Sequence, residues 1–108
     1  MPRFLLIGTY SQHGARVLMA AGGSARRRVL ERAVEELGGR LETFDFAFGG
    51  EDVYAIFEVP DDHCAAALAL TIAAGGVATV RTVVLLTPEQ IDRAAQLHPS
   101  YTPAPTAG

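Results

Sequence analysis

Residues 41–62, LETFDFAFGGEDVYAIFEVPDD, contain two short runs of aromatic and β-branched residues separated by a pair of glycines. Strands favour aromatic and β-branched residues and turns favour glycine, so this stretch predicts a β-hairpin. We predict its strands over residues 40–48 and 53–59. Asp45 lies among phenylalanines in the first strand, and Glu51 follows the glycines directly. These acidic side chains mark the hairpin as a region where a small molecule could bind.

Outside the hairpin, the pattern of apolar and turn-forming residues predicts a small α+β domain. Ser11, Ser24 and Thr87 stand where helix N-caps are favoured. The other predicted elements are strands over 3–10 and 77–86 and helices over 12–21, 24–37, 63–74 and 88–97. Together with the hairpin they give the order β-α-β-β-α-β and an extra C-terminal helix, which is the ferredoxin-like sandwich. We therefore predict one domain over residues 1–97 and a Pro-rich, irregular tail over residues 98–108.

The composition is typical of one globular domain. The chain has 108 residues, of which 49% are hydrophobic, and its formal net charge is −3. An acidic balance gives no reason to expect nucleic acid or an anionic membrane as a partner. The single cysteine, Cys64, excludes an internal disulfide, and we identify no secretion signal and no apolar run long enough to cross a bilayer. We therefore expect a cytoplasmic protein.

Both faces of the predicted sheet are apolar. In the first strand Phe4 and Leu6 point to one face, whereas Leu5 and Ile7 point to the other. In a ferredoxin-like subunit the helices cover one face only, so the second apolar face needs another cover. A second copy of the same sheet would provide it, which predicts a homodimer of the α/β-barrel type. The alternative is that the C-terminal helix folds over the open face.

Several of these segments resemble one known family, the GYD-domain family. The resemblance extends over roughly residues 2–95 and rests on the strand ending in GTY, the helix start GGSARRR, the strand entry LGGRLETF, the hairpin FAFGGEDVYAIFEVPDD, the Ala-rich helix and the ending VRTVVLLTPEQ. It implies a ferredoxin-like subunit of the dimeric α/β-barrel group. That wider group includes small-molecule isomerases, cofactor-free monooxygenases and polyketide-cyclase-like enzymes, as well as ligand-binding and stress-related modules.

The chain departs from the family pattern at the motif that gives the family its name. The Gly-Tyr-Asp motif falls on Gly50, Glu51 and Asp52, so a glutamate replaces the tyrosine. A second tyrosine that is frequent in the family falls on Asp45. Two aromatic hydroxyl groups have thus become carboxylates, which indicates a changed ligand or an acquired chemistry.

Four residues are candidates for acid–base catalysis. By strand alternation, Asp45 shares its face with Leu41 and points away from the phenylalanines. If that face is covered, the loss of water would favour the protonated carboxyl, which suits a general acid or base. His13 follows the first strand and could pair with Asp45 or Tyr10, while Tyr54 could assist in proton transfer. The alternative is that Asp45 and His13 are ordinary surface residues.

Phe46, Glu51, Asp52 and Arg81 are candidates for contacts with a ligand. Asp52 also suits a structural role in shaping the turn, and Glu51 suits that of an exposed charge. Arg81 lies in an apolar strand and must reach water or a counter-charge. We therefore expect Arg81 either in an ion pair at an interface or on the floor of a cavity.

Two other ionisable clusters suit structural roles better. Residues 61–64, DDHC, contain metal-ligand types, but they match no metal motif, and the two aspartates suit a helix start. Residues 24–28, SARRR, could hold an anion at a helix start, although a solvated face with intrahelical ion pairs is the simpler interpretation. We predict no metal and no organic cofactor.

Two hypotheses about function remain open from the sequence. The first is a small cofactor-independent enzyme that acts on an apolar or aromatic molecule by acid–base catalysis, as an isomerase, cyclase or monooxygenase. The second is a non-catalytic module that binds a small ligand or takes part in stress-related interactions. Convergence of Asp45 and His13 on an enclosed pocket would favour the enzyme, whereas Asp45 in bulk water would remove its support.

Overall fold

The computed structural model describes residues 1–104 of the chain. Within that range the polypeptide forms four strands and four helices. In chain order these are β1 (Arg3–Tyr10), α1 (Gln12–Ala21), α2 (Gly23–Glu36), β2 (Arg40–Phe46), β3 (Val53–Glu58), α3 (Asp62–Ala74), β4 (Ala78–Leu85) and α4 (Pro88–Ala95). The predicted α+β, ferredoxin-like fold with an added C-terminal helix is therefore confirmed.

The four strands form one antiparallel sheet in the order β2-β3-β1-β4. One face, which we call the helix-side face, presents Phe4 and Leu6 of β1 toward α2 and α3. The opposite face, which we call the open face, presents Leu5 and Ile7 of β1 and their neighbours on the other strands. The side chains of β1 thus alternate between the two faces as the sequence predicts.

The core lies between the helix-side face and the inner sides of α2 and α3. Phe57 of β3 and Val34 of α2 are completely buried, and Leu68 of α3 is 2% exposed. The rings of Phe4 and Phe57 are stacked, with their centroids 5.5 Å apart. Truncation of one such side chain to alanine typically costs about 2–5 kcal/mol, so these contacts are decisive for a domain of this size.

Two helices begin at the predicted N-caps. The hydroxyl oxygen of Ser11 accepts a hydrogen bond from the backbone N–H of Gly14 at 3.0 Å, at the start of α1. Thr87 and Gln90 form the reciprocal hydrogen bonds of a capping box at the start of α4. Both caps act within four residues of the chain, which is why the sequence alone predicts them.

The start of α2 differs from the prediction, because Ser24 does not cap it. The N-cap is Gly22, whose φ of 85° lies in the left-handed region that favours glycine. Gly23 is the first helical residue, and a Cβ atom on it would lie 2.8 Å from the ring of Phe46. The absence of a side chain on Gly23 therefore lets the ring of Phe46 pack against the first turn of α2.

The β2–β3 hairpin differs from the prediction at two points. β2 ends at Phe46, two residues earlier than predicted, so Phe48 lies in the connecting loop and is completely exposed. A β-bulge between Leu41 and Thr43 shifts the pairing of β2 with β3. Because the bulge reverses the alternation, Leu41 is buried on the helix-side face, and its predicted place beside Asp45 is wrong.

The C-terminal helix stands away from the rest of the domain. Every residue of α4 is exposed, including Ile91 at 51%. The radius of gyration, 17.6 Å, exceeds the roughly 13 Å expected for a compact domain of this length. α4 therefore does not cover the open face. Residues 98–104 form neither helix nor strand, and the end of the predicted tail, residues 105–108, lies outside the described range.

Candidate functional site

A cavity of about 230 Å³ lies between the helix-side face of the sheet and helices α2 and α3. We call it the inner cavity. It is partly open to solvent, and its wall is largely apolar, with side chains that include Leu6, Leu30, Phe44, Leu68, Ile72 and Val80. An apolar concavity with a few polar groups is the usual form of a site for a small molecule.

Three polar side chains interrupt the apolar wall of the inner cavity. They are Tyr10 at the end of β1, Arg26 on α2 and Thr71 on α3. The hydroxyl of Thr71 donates a hydrogen bond to the carbonyl oxygen of Ala67 at 2.7 Å, so it has no second proton to donate to a ligand. Among residues 1–104, no acidic side chain lines the cavity. Tyr10 and Arg26 are therefore the groups best placed for a polar contact with a ligand.

Tyr10 is held in place by the loop of the hairpin. A carboxylate oxygen of Asp52 accepts the backbone N–H of Tyr10 at 2.8 Å, and the Asp52 N–H donates to the carbonyl oxygen of Gly8 at 2.8 Å. On the other side, a Cβ atom on Gly14 would lie 2.9 Å from the Tyr10 ring and would overlap the carbonyl oxygen of Val77. Asp52 thus connects the hairpin loop to β1.

Three of the predicted site residues lie in one row across the open face of the sheet. Asp45 of β2 and Tyr54 of β3 are directly opposite each other, and Ile7 and Arg81 continue the row across β1 and β4. Side chains in such a pair are near neighbours, with Cβ atoms typically about 5 Å apart. Asp45 is exposed, and Tyr54 is 38% exposed. The chain by itself therefore leaves the Asp45 carboxylate in contact with water.

Arg81 forms an ion pair with Glu51 of the same chain. Its Nη2 atom lies 3.0 Å from Oε1 of Glu51, and the two side chains are 62% and 34% exposed. An exposed pair of this kind contributes at most about 1 kcal/mol to stability. Glu51 is therefore a half-buried, paired carboxylate, and Arg81 has found a counter-charge within its own subunit.

The comparison with family models agrees with this fold. A model described as GYD domain matches residues 4–95. The chain belongs to the GYD domain family. This confirms the resemblance seen in the sequence, and the match extends from β1 to the end of α4. A search among curated proteins found no match.

In this GYD domain the residues that resemble the family signature form the loop that closes the hairpin. Gly50 has a φ of 134°, a conformation that favours glycine, and Asp52 accepts the hydrogen bond from Tyr10. Glu51, which replaces the signature tyrosine, contacts Arg81. The glycine and the aspartate therefore have structural roles here, and the replaced position faces the open side of the sheet.

The GYD domain does not bring the four predicted catalytic residues to one place. Tyr10 lines the inner cavity, whereas Asp45 and Tyr54 lie on the open face. His13 is exposed at the start of α1 and is absent from the wall of the inner cavity. The only neighbouring pair in the set is therefore Asp45 and Tyr54, and any catalytic role for these residues stays a prediction.

Phe46 belongs to a second groove, of about 260 Å³, between α1 and the end of the hairpin. Its ring contacts Phe44 edge to face, with the centroids 5.1 Å apart, and the side chain is 36% exposed. Asp52 and Tyr10 also line this groove. The four predicted ligand contacts are thus divided, because Phe46 and Asp52 lie here while Glu51 and Arg81 pair at the open face.

Sequence reasoning did not identify Arg26 as a residue of the inner cavity. The sequence interpretation placed Arg26, with two neighbouring arginines, on a solvated face and gave anion binding at the helix start as the alternative. Arg26, Val29, Leu30 and Ala33 are spaced three and four residues apart, and all four line the cavity. This spacing places an arginine on the apolar stripe of α2, and it is the signal that could have revealed the site.

Two ionisable pairs have shifted pKa values, and neither lines the inner cavity. A hydrogen bond from Arg3, with Nη2 at 2.9 Å from Oε2, lowers the pKa of Glu42. The Cys64 backbone N–H donates to the carboxylate of Asp61, the N-cap of α3, and lowers its pKa. A hydrogen bond between the Cys64 thiol and the Asp61 carboxylate, together with burial, raises the pKa of the Cys64 thiol. A raised pKa disfavours the thiolate, which is the nucleophilic form of cysteine.

The described part of the chain contains no group of three or more His, Cys, Asp or Glu side chains that could hold a metal ion. Within residues 61–64, Asp61 caps α3 and its Oδ2 lies 3.4 Å from Nε2 of His63. Separately, none of the helices within residues 1–104 is long and apolar enough to cross a membrane.

Proposed function

We propose that this GYD domain binds a small, largely apolar molecule in the inner cavity. The observation that supports this proposal is a largely apolar space of about 230 Å³ between the sheet and helices α2 and α3. Protein interiors normally contain few voids larger than a water molecule. An opening of this size between sheet and helices therefore favours a binding site over imperfect packing.

The volume of the inner cavity limits the size of the ligand. A dry apolar cavity of about 150 Å³ holds benzene, whereas sites for drug-sized molecules begin at about 300 Å³. The inner cavity, with about 230 Å³, lies between these values. It suits a single aromatic ring with a short substituent, or an aliphatic chain of similar volume.

The composition of the wall favours binding over catalysis. General acid–base catalysis needs a group that gains or loses a proton near neutral pH, such as histidine or a perturbed carboxylate. Among the described residues the wall contains neither type, and Asp45 and His13 lie elsewhere. Binding without chemistry in the inner cavity is therefore the function that this geometry supports best.

The proposal can be tested by titrating the protein with phenylpropanol, a neutral molecule of suitable size, and following methyl resonances by NMR. We expect shifts at Leu6, Ile72 and Val80, which line the cavity. Ala33→Leu places three extra carbon atoms in the cavity. Such overpacking costs about 1–3 kcal/mol, so we expect binding about tenfold weaker or more.

Ala66→Leu is the matched control for this experiment. Ala66 is also helical, but it is exposed on α3 and absent from the cavity wall. Its affinity for phenylpropanol should equal that of the unmodified protein. Equal affinities for all three proteins, or shifts confined to residues outside the wall, would refute binding in the inner cavity.

We also propose that two copies of the domain associate through their open faces. Leu5, Ile56 and Val83 form an apolar row across the centre of this face. α4, the alternative cover from the same chain, is exposed along its whole length. A partly exposed apolar row on one face of a sheet favours association, and a second identical sheet can cover it.

Neighbouring residues of β4 allow a matched test of this homodimer. Val83 is opposite Leu5 on the open face, while Val84 is opposite Phe4 on the helix-side face and is 58% exposed. In analytical ultracentrifugation we expect the mass of two chains for the unmodified protein and for Val84→Arg, and of one chain for Val83→Arg. A mass of one chain for the unmodified protein, or an equal effect of both variants, would exclude this interface.

A second candidate function rests on the row across the open face. Asp45 and Tyr54 are neighbours there, and a partner subunit would remove both from water. A desolvated carboxyl beside a phenol suits cofactor-independent acid–base catalysis on an apolar or aromatic molecule, as in an isomerase, cyclase or monooxygenase. This enzyme would need the dimer, because one subunit leaves Asp45 exposed.

Asp45→Asn tests this second candidate without changing the shape of the side chain. In a panel of small aromatic substrates, we expect any turnover to be lost in Asp45→Asn while ultracentrifugation still gives two chains. Turnover that persists in Asp45→Asn would exclude Asp45 as the acid or base. Turnover that disappears in Ala33→Leu instead would place the chemistry in the inner cavity.

A further inference from the structure

Arg26 is the only side chain with a formal charge in the wall of the inner cavity. It is half-buried on α2, between the cavity and the surface, and it forms no ion pair within residues 1–104. The residues one turn away are Gly22 and Leu30, so α2 itself offers no acidic partner. The neighbouring Arg27, in contrast, approaches Glu31 at 3.8 Å on the outside of the helix.

One hydrogen-bond donor of Arg26 is left without an acceptor. Its Nε atom is buried and forms no hydrogen bond with the described residues, which is unfavourable for a polar group. Because the buried Nε is closed to water and to a ligand as well, only the Nη atoms of the guanidinium group can reach a further acceptor. The side chain forms no ion pair within residues 1–104, so the acceptor of these Nη atoms comes from outside the described residues, as either a water molecule or an atom of a ligand.

We infer that the ligand of the inner cavity carries a carboxylate and that Arg26 binds it. This inference rests on the proposed function and adds the chemical class of the molecule. The planar guanidinium group matches a carboxylate with two parallel hydrogen bonds, which the two Nη atoms can donate. The apolar surroundings strengthen such a contact, because the local dielectric constant is lower than that of water.

The charge of the wall favours a carboxylate over a phosphate. One guanidinium balances the single negative charge of a carboxylate, whereas a phosphate monoester has nearly two negative charges at neutral pH. Within the described residues the wall contains no second basic side chain to balance the remainder. The cavity therefore fits an aromatic or aliphatic acid with one carboxylate and an apolar body.

Paired ligands test the inference directly. Phenylpropionate and phenylpropanol differ in the carboxylate, and calorimetry or NMR gives both affinities. We expect phenylpropionate to bind about ten- to a hundredfold more tightly, the range that a hydrogen bond to a charged group typically provides. Arg26→Met keeps the length of the side chain. It should remove the difference in affinity between the two ligands, while phenylpropanol still binds. Arg27→Met removes a nearby charge outside the cavity and should preserve the difference in affinity.

Three other results would refute either the role of Arg26 or binding in the inner cavity. Equal affinities for both ligands in the unmodified protein would refute the role of Arg26 and assign its acceptor to water, while the proposed function would stand. The preference for phenylpropionate could also be lost equally in Arg26→Met and Arg27→Met. That result would show that the preference comes from general surface charge, and it would also refute the inference. Binding of neither ligand would overturn the proposed function, and the inference with it. Should Arg26→Met fold poorly, Arg26→Gln provides the same test.

Discussion

Replacement of Asp52 tests whether this residue of the signature loop stabilises the fold. Asp52 is half-buried, and its carboxylate accepts the backbone N–H of Tyr10 at 2.8 Å. A hydrogen bond to a charged group typically contributes about 1.5–3 kcal/mol. Asp52→Ala removes the acceptor and leaves the Tyr10 N–H without a partner in the protein. We therefore expect the free energy of unfolding to fall by about 1.5–3 kcal/mol.

Two further variants distinguish the contribution of the hydrogen bond from that of the negative charge, and from the effect of removing an aspartate elsewhere in the chain. Asp52→Asn keeps an oxygen acceptor but loses the charge, and neutral hydrogen bonds are about half as strong, so we expect a loss of about 1 kcal/mol. Asp92→Ala removes an aspartate of α4 that is exposed and forms no side-chain hydrogen bond within residues 1–104. Surface substitutions of this kind usually change stability by less than about 0.5 kcal/mol.

Urea denaturation at one fixed protein concentration, followed by circular dichroism, measures all three variants. A constant concentration is required because dimerisation would add to the apparent stability. NMR of the Tyr10 amide gives an independent readout, since its exchange with solvent should accelerate in Asp52→Ala. Unchanged stability of Asp52→Ala, or an equal loss in Asp92→Ala, would refute the structural role of Asp52.

Three other changes should have defined effects. Gly14→Ala should destabilise the domain by more than about 1–3 kcal/mol, because its Cβ would overlap the Val77 carbonyl oxygen, whereas Gly75→Ala, with ordinary contacts, should be neutral in the same denaturation assay. Because the pKa of Glu42 is lowered, its stabilising contribution is complete above about pH 4.5 and is lost as the pH falls through the lowered value. Glu42→Gln should therefore reduce the loss of stability between pH 5 and pH 3, and an unchanged pH profile would contradict the Arg3–Glu42 contact. Thr87→Ala removes the capping box and should lower the stability of α4 by about 1 kcal/mol. Amide hydrogen exchange should therefore become faster in α4 alone. Exchange as slow as in the unmodified chain would argue against the cap.

Features that depend on near neighbours in the chain were predictable. The alternation in β1 and the caps at Ser11 and Thr87 each depend on contacts within a few residues, and all are found as predicted. Features that depend on contacts between distant residues were not predictable from the sequence. Ser24 was expected to cap α2, but the helix begins at Gly23 and its N-cap is Gly22, at a place where the ring of Phe46 from β2 approaches the backbone. The local capping preference of Ser24 was therefore not enough to predict the start of the helix.

The candidate sites show the same division. The sequence indicated Asp45 and Tyr54, but only the pairing of β2 with β3 places them opposite each other. The sequence also grouped Asp45, His13 and Tyr10, yet the sheet separates Asp45 from Tyr10, because Asp45 of β2 lies on the open face and Tyr10 of β1 lines the inner cavity on the helix-side face. Arg26 became a candidate ligand contact only when α2 was packed against the sheet beside α3.

By itself, the sequence determined the order of elements, the family and the two apolar faces of the sheet. These follow from periodicity and from local turn and cap chemistry, which act over a few residues. The tertiary structure alone decided the bulge that turns Leu41 into the core, the position of α4 away from the open face, and the buried, unpaired Nε of Arg26. Each of these depends on which distant surfaces come into contact, and burial and hydrogen bonding are properties of those contacts.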